Sequence, residues 1–228
     1  MRHPRPYRCC KRALDLAVAI GLMAVLAPLL ALVWLLVRAR LGRPALFRQE
    51  RAGLRGRPFQ VLKFRSMTQE RDAAGRLLPD LQRLPPLGRF LRRSSLDELP
   101  QLWNVVRGDM SLVGPRPLYL DYVRRYSERQ RLRLEVRPGI TGLAQVSGRI
   151  NLGWPERLAL DAEYVERASL ALDLRILART LRRVLAGADV PASGVDPTRQ
   201  FQGEGGGSPD LEAGGRDPRE GVTPGPPS

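Results

Sequence analysis

The chain has 228 residues, one domain's length plus an appendage, and its 38 Lys and Arg against 23 Asp and Glu give a net charge of +15. From residue 187 onward three Arg face seven acidic residues, a net −4, so residues 1–186 carry +19, a basic body suited to the phosphates of nucleic acid, nucleotides or an anionic membrane surface. The single histidine, His3, and the adjacent pair Cys9 and Cys10 argue against a histidine-based triad, leave no zinc site to build and suggest no disulfide framework.

Residues 1–12 are basic and contain prolines, and they lead into 22 uncharged residues from Leu16 to Val37. At about 1.5 Å per residue such a run is long enough to cross a bilayer. It is longer than the apolar core of a secretory signal, and Arg38, Arg40 and Arg43 follow it instead of a cleavage site. Five Lys or Arg precede the run and seven lie between Arg38 and Arg57, so the positive-inside rule assigns both flanks to the cytoplasm. One spanning helix cannot satisfy both. Pro28, in mid-run, lacks the N–H that a continuing helix needs. The expectation is a re-entrant helix over residues 13–38 that dips into one leaflet and returns.

Gly53 and Gly56 predict a turn, and Phe59, Val61 and Phe64 a short extended segment carrying Lys63 and Arg65. Those two cations suit phosphate contacts, and equally the general attraction of basic residues to anionic lipid. Residues 69–86 read as a loop. Beyond it, Leu96, Leu99, Leu102, Trp103 and Val106 recur at helical spacing, with Asp97, Gln101 and Asn104 on another face, which predicts an amphipathic helix that buries Leu and Trp.

Two readings of Asp97 and Glu98 compete. Ser95 to Glu98 is an S-x-x-E capping box, and acidic residues favour a helix start; local sequence alone supports that reading. The surroundings support another, because Arg92 and Arg116 flank the pair and the Gly-Pro turn at residues 113–117 can hold Arg116 rigidly. A carboxylate pair among arginines suits an anionic substrate.

The next helix is expected over residues 119–133, followed by a Gly-punctuated segment from Arg137 to Arg149. From Pro155 to Leu185 the chain is expected to be largely helical, with Gly187 as the C-cap. Leu174, Leu177, Leu181 and Val184 share one face of it and four arginines another, a pattern of a helix on a membrane surface or of a core helix with a solvated basic face. In residues 191–228, 16 of 38 are Gly or Pro, which predicts disorder.

Several of these stretches occur together in a known order. Lys11-Arg12-x-x-Asp15, KFRSM from Lys63, SLDELPQLWNVVRGDMSLVGPRP from Ser95, RPGITGLAQVSGR from Arg137 and LDAEYVERASLALDLRIL from Leu160 resemble the bacterial sugar transferase family, the monotopic polyprenyl-phosphate phosphoglycosyl transferases. The resemblance covers roughly residues 8–187. It implies a mainly α fold with minor β: a re-entrant membrane helix hairpin and a compact cytoplasmic helical catalytic domain with surface amphipathic helices. The division implied is 1–12, a basic cytoplasmic N-terminus; 13–38, the membrane helix, broken at Pro28; 39–187, the transferase domain; and 188–228, the acidic tail.

The resemblance further implies transfer of a sugar 1-phosphate from a UDP-sugar to a polyprenyl phosphate such as undecaprenyl phosphate, with release of UMP. Mg²⁺ is the implied cofactor, and the implied location is the cytoplasmic face of a bacterial inner membrane, in exopolysaccharide, O-antigen or related glycoconjugate synthesis. Asp97 takes the role of covalent nucleophile and Glu98 that of its partner in catalysis or metal binding. Lys63, Arg65, Arg92, Arg116, Arg137 and Arg149 are candidates for phosphate or nucleotide contacts. Nucleic acid is not an expected partner, and a homo-oligomer remains open. The rival reading is a non-catalytic, membrane-attached protein whose basic body binds anionic lipid or nucleic acid. It accounts for the charge and the apolar run but not for Asp97 and Glu98.

Overall fold

The computed structural model describes residues 4–148 and 152–186. Arg149, Gly187 and the tail from residue 188 lie outside them. The chain begins with two helices, α1 (Arg5–Val25) and α2 (Ala27–Leu41). Their axes bend by 64° at Leu26. Pro28 occupies the first turn of α2, where its missing N–H would be unpaired in any case, so it starts the second helix instead of kinking one. No single described helix is long and apolar enough to cross a membrane, whereas the bent pair together meets that length and composition.

An antiparallel hairpin follows, β1 (Leu46–Ala52) and β2 (Pro58–Phe64), in register from Leu46 opposite Phe64 to Ala52 opposite Pro58. The predicted extended segment is thus one arm of a pair, joined by a short 3₁₀ turn at Leu54–Gly56. Helix α3 (Pro86–Arg93) leads to a 3₁₀ turn at Leu96–Glu98 and helix α4 (Gln101–Arg107). Strand β3 (Ser111–Val113) pairs in parallel with β4 (Gly139–Thr141), across the short helices α5 (Leu120–Val123) and α6 (Glu128–Arg131) and a 3₁₀ turn at Leu132–Glu135. Helices α7 (Leu143–Gly148), α8 (Trp154–Arg167) and α9 (Leu170–Leu185) close the fold.

Two expectations need correction. The single helix over 119–133 is instead two four-residue helices and a 3₁₀ turn, because Ser127 starts α6 with a capping box to Gln130. The stretch over 155–185 is largely helical as expected, in two helices, since Ser169 is extended and its side chain accepts a hydrogen bond from Leu172 N–H, starting α9 afresh. The amphipathic helix after Ser95 is rotated from its expected register. Gln101, Leu102, Asn104 and Val105 are buried, while Trp103 is 47% exposed.

The Asn side chain explains that rotation. Asn104 Nδ2 donates to Gln60 O at 2.7 Å, and Leu62 N–H donates to Asn104 Oδ1 at 3.0 Å. A buried amide that satisfies strand backbone groups in this way is stable inside. It sews α4 to the free edge of β2.

The main core joins Ala19 of α1, Leu102 and Val105 of α4, Met110, Leu112 and Val113 around β3, and Tyr164, Val165 and Ile176 of α8 and α9. A second cluster seats Val33 and Val37 of α2 against Phe64 and Leu91. The start of α1 is tied down by polar contacts from each residue of the K-R-x-x-D motif. Lys11 pairs with Asp173 at 2.9 Å, Arg12 donates to Val105 O and Val106 O, and Asp15 accepts from Ser111 Oγ and Leu112 N–H. Beyond Ala19 the helix pair leaves Ile20, Val25, Leu32, Leu35 and Leu36 exposed. On α9, Leu174, Leu181 and Val184 are also exposed while Ile176 is buried and Leu177 packs against the core, so part of that helix's apolar face looks outward.

Candidate functional site

Asp97 lies in the 3₁₀ turn between α3 and α4, and a strained residue sets that turn. Ser95 has φ +56°, the left-handed region, which costs a non-glycine residue about 1–2 kcal/mol. Its side chain makes no cap hydrogen bond. The capping box read from the sequence does not form, and Glu98 turns away to other partners.

Those partners are Lys63 of β2 and Arg116 of the loop after β3. Lys63 Nζ donates to Glu98 Oε1 at 3.1 Å, and Arg116 Nη2 donates to the same oxygen at 2.7 Å. Asp97 differs from its neighbour. It is 7% exposed, yet among the described residues its carboxyl accepts no hydrogen bond. Burial and the adjacent Glu98 charge push its pKa up to about 6, against the pull of Lys63, Arg92 and Arg116. The result is a buried carboxyl surrounded by cations and hydrogen-bonded to none of them.

Each cation is positioned by a backbone feature. Asn104 holds the β2 edge that carries Lys63. Arg92 Nε donates to Ser66 Oγ at 2.8 Å, and α3 approaches Ser66 so closely that a Cβ on Gly88 would sit 1.8 Å from Ser66 O. Arg116 is held by its own carbonyl, which accepts from Arg133 Nη2 at 2.7 Å; Arg133 is buried and paired with Asp161 at 2.9 Å. Gly114 keeps β3 against β4, because a Cβ there would meet Arg137 O at 2.4 Å. Arg157 also approaches, its guanidinium pKa lowered first by burial and then by the Arg116 charge.

The sequence candidates therefore divide. Asp97, Glu98, Lys63, Arg92 and Arg116 come together. Arg65 is buried, and its Nη1 donates to Leu41 O and Arg43 O at the end of α2. Arg137 does not join the group; it donates to Gly108 O at 2.8 Å and lines a separate cavity beside α1. Arg149 lies outside the described residues. Asn104, Arg133, Asp161 and Arg157 were not singled out for the site from sequence. Asn104 had a visible signal, since it shares a helical face with Asp97, whereas the Arg133–Asp161 pair is 28 residues apart and leaves no local pattern.

A hard divalent cation needs oxygen donors, and Mg²⁺ takes one or two carboxylates, completing its shell with water and substrate phosphate. The described residues hold no cluster of three or more His, Cys, Asp or Glu, so no all-protein cage exists among them. Asp97 and Glu98, the former without a hydrogen bond among the described residues, fit the smaller donor set that Mg²⁺ uses beside a phosphate.

Residues 6–187 match the sequence profile of the family described as bacterial sugar transferase. Among curated relatives, the chain is 47% identical over 195 residues to an uncharacterized sugar transferase, EpsL, of Bacillus subtilis, covering 86% of this chain and 96% of the relative. It is 44% identical over 191 residues to a UDP-glucose:undecaprenyl-phosphate glucose-1-phosphate transferase of Caulobacter vibrioides, covering 77% of this chain and 69% of the relative. It is 39% identical over 198 residues to an undecaprenyl-phosphate galactose phosphotransferase of Salmonella typhimurium, covering 79% of this chain but only 41% of that longer protein.

Proposed function

The chain belongs to the bacterial sugar transferase family, and from that premise we propose that it moves a sugar 1-phosphate from a UDP-sugar to a polyprenyl phosphate, with Asp97 as covalent nucleophile. The relatives named for undecaprenyl-phosphate sugar transfer support the donor and acceptor classes. The observation that carries the residue assignment is the contrast within the acidic pair: Glu98 is clamped by Lys63 and Arg116, while Asp97 is buried, raised in pKa and, among the described residues, free of hydrogen bonds. A nucleophile must lose its hydrogen-bond partners before attack, and among the described residues this carboxyl has none to lose.

In the proposed first step, an Asp97 carboxylate oxygen attacks the β-phosphorus of the UDP-sugar. The new O–P bond forms as the bond from that phosphorus to the bridging oxygen breaks, and UMP leaves with the electron pair. In the second step a phosphate oxygen of the polyprenyl phosphate attacks the same phosphorus, displacing Asp97 and giving a polyprenyl diphosphosugar. A carboxylate can act this way without a base, which suits a chain whose single histidine is His3.

Lys63, Arg92 and Arg116 oppose the negative charge of the diphosphate and of the departing UMP, by position more than by proton transfer. Glu98 fixes two of those cations between itself and the incoming phosphate. Mg²⁺, held by Asp97 or Glu98 together with the donor's phosphates, would supply further charge neutralisation.

We place this reaction at the cytoplasmic face of a bacterial inner membrane. Basic flanks on both sides of the apolar run, the 64° bend at Leu26 and the exposed apolar side chains of α1, α2 and α9 support a re-entrant hairpin with surface helices beside it. The test incubates the detergent-extracted protein with Mg²⁺, polyprenyl phosphate and a panel of UDP-sugars, and follows UMP. Lipid-dependent release with at least one donor is expected. No release with any donor would leave the non-catalytic, lipid-binding reading in its place.

A further inference from the structure

A second basic site lies away from Asp97. Helix α4 separates the two. The acidic pair precedes its N-terminus, whereas the carbonyls of Val105, Val106 and Gly108 at its other end accept from Arg12 and Arg137. Beyond that end is a cavity of about 250 Å³, lined by cations from three parts of the chain: Arg8, Lys11 and Arg12 of α1, Arg55 of the hairpin turn, and Arg137 before β4.

Capping accounts for only part of this. Guanidiniums at a helix C-terminus are favoured by its carbonyls, which explains Arg12 and Arg137. Lys11 is paired with Asp173. Arg8 and Arg55 have no ion pair or side-chain hydrogen bond among the described residues, and both are exposed at the cavity. Of the two acidic lining residues, Asp15 is committed to Ser111 and Leu112 N–H, and only Glu135, exposed, remains. Four guanidiniums therefore face one uncommitted carboxylate. The mutual repulsion registers at Arg137, whose pKa is lowered by burial and then by Arg12 and Arg8.

The backbone at Arg55 adds an independent sign. Ser95 and Arg55 are the two non-glycine residues with positive φ among the described residues, at +56° and +57°. One stands two residues before Asp97; the other carries the cavity's arginine. Such conformations persist where the surroundings hold a residue in place for a role.

We propose that this cavity is a second anion site, taking a phosphate ester distinct from the reacting diphosphate. Its size favours a phosphate headgroup over a nucleotide sugar, since small-molecule pockets run to about 300–1,000 Å³. Arg8 and Arg12 are four residues apart on one face of α1, and the apolar run begins at Leu16, one turn further on. A phosphate bound there sits where α1 would meet a bilayer, so a lipid phosphodiester and a free phosphate are the two sources of the same chemistry. The site stands independently of the transfer reaction and of Asp97.

Phenylglyoxal modification of arginines, read peptide by peptide by mass spectrometry on the full chain, tests it. The soluble arm titrates inorganic phosphate against the protein in neutral detergent. The lipid arm compares nanodiscs of phosphatidylglycerol with nanodiscs of phosphatidylcholine. Labelling of Arg55 should slow about tenfold at ten times the dissociation constant in one arm or both. Slowing by phosphatidylglycerol alone identifies a lipid headgroup, and slowing by inorganic phosphate a soluble ligand. Arg8→Ala should return Arg55 to its unprotected rate, because the two share the ligand. No slowing in either arm, or protection of Arg55 that survives Arg8→Ala, would overturn the proposal. UMP release, followed in parallel, reports on the transfer reaction separately.

Discussion

Asp97→Asn should abolish transfer and stabilise the protein in the same stroke. The pKa of Asp97 is raised from 3.8 to about 6 by burial and by Glu98, so the folded state binds this proton more tightly than the unfolded state does. Between those two values the folded protein holds more protons, and stability falls as pH rises. With each pH unit between them worth about 1.4 kcal/mol, the carboxylate costs the folded state about 3 kcal/mol by pH 8 relative to pH below 4. Asn is neutral at every pH and avoids that loss. For a body of about this size, 3 kcal/mol shifts the unfolding temperature by about 6–12 °C. The assay is thermal unfolding of both proteins in one detergent at pH 4 and at pH 8. The variant should melt higher at pH 8, with the gap closing towards pH 4, and should release UMP orders of magnitude more slowly. A variant less stable than the parent at pH 8, or a gap independent of pH, would refute the claim that the buried carboxylate is held against its own preference.

Four further outcomes follow from the same geometry. The rate of UMP release in single turnover should rise with pH as Asp97 ionises, with an acid limb near 6; a rate flat from pH 5 to 8 would count against Asp97 as nucleophile. In Glu98→Gln the repulsion on Asp97 is removed, so that limb should move to lower pH while the rate falls because Lys63 and Arg116 lose their anchor; a limb that stays put would contradict the coupling. Asp161→Ala leaves buried Arg133 without its partner, which should cost about 3–5 kcal/mol by denaturant or thermal unfolding. Gly88→Ala would put a Cβ 1.8 Å from the Ser66 carbonyl, forcing α3 off Ser66 and displacing Arg92; lowered stability and reduced kcat are expected, and a variant with parental kcat would show that Arg92 needs no such support.

The apolar run, the Gly53–Gly56 turn and the extended stretch after it were legible because each is local. A run of 22 uncharged residues, two glycines and the apolar residues Phe59, Val61 and Phe64 report their own conformations. The break between α8 and α9 was less visible. Its only mark is Ser169, whose role as a cap competes with the continuous helical spacing on either side. The rotation of α4 was hidden for a different reason. Trp103 counts as apolar in any periodicity, and the burial of Asn104 depends on the edge of β2, more than 40 residues earlier.

The acidic pair shows the same limit. S-x-x-E describes a capping box when only neighbours are considered, and Glu98 is drawn out of it by Lys63, 35 residues before, and Arg116, 18 after. Sequence spacing could gather the basic candidates but could not sort them. Arg65 and Arg137 stand in motifs as distinctive as that of Arg116, yet their guanidiniums go to backbone carbonyls elsewhere.

The most direct test of the account is the mass of the intact protein, and then of the peptide containing Asp97, after rapid quenching with a UDP-sugar and Mg²⁺ but no lipid acceptor. An added phosphosugar on Asp97, absent from Asp97→Asn and discharged on addition of polyprenyl phosphate, is the predicted result. Lipid-dependent UMP release at the normal rate with no adduct at any quench time would contradict a covalent Asp97 and require direct transfer between the two substrates.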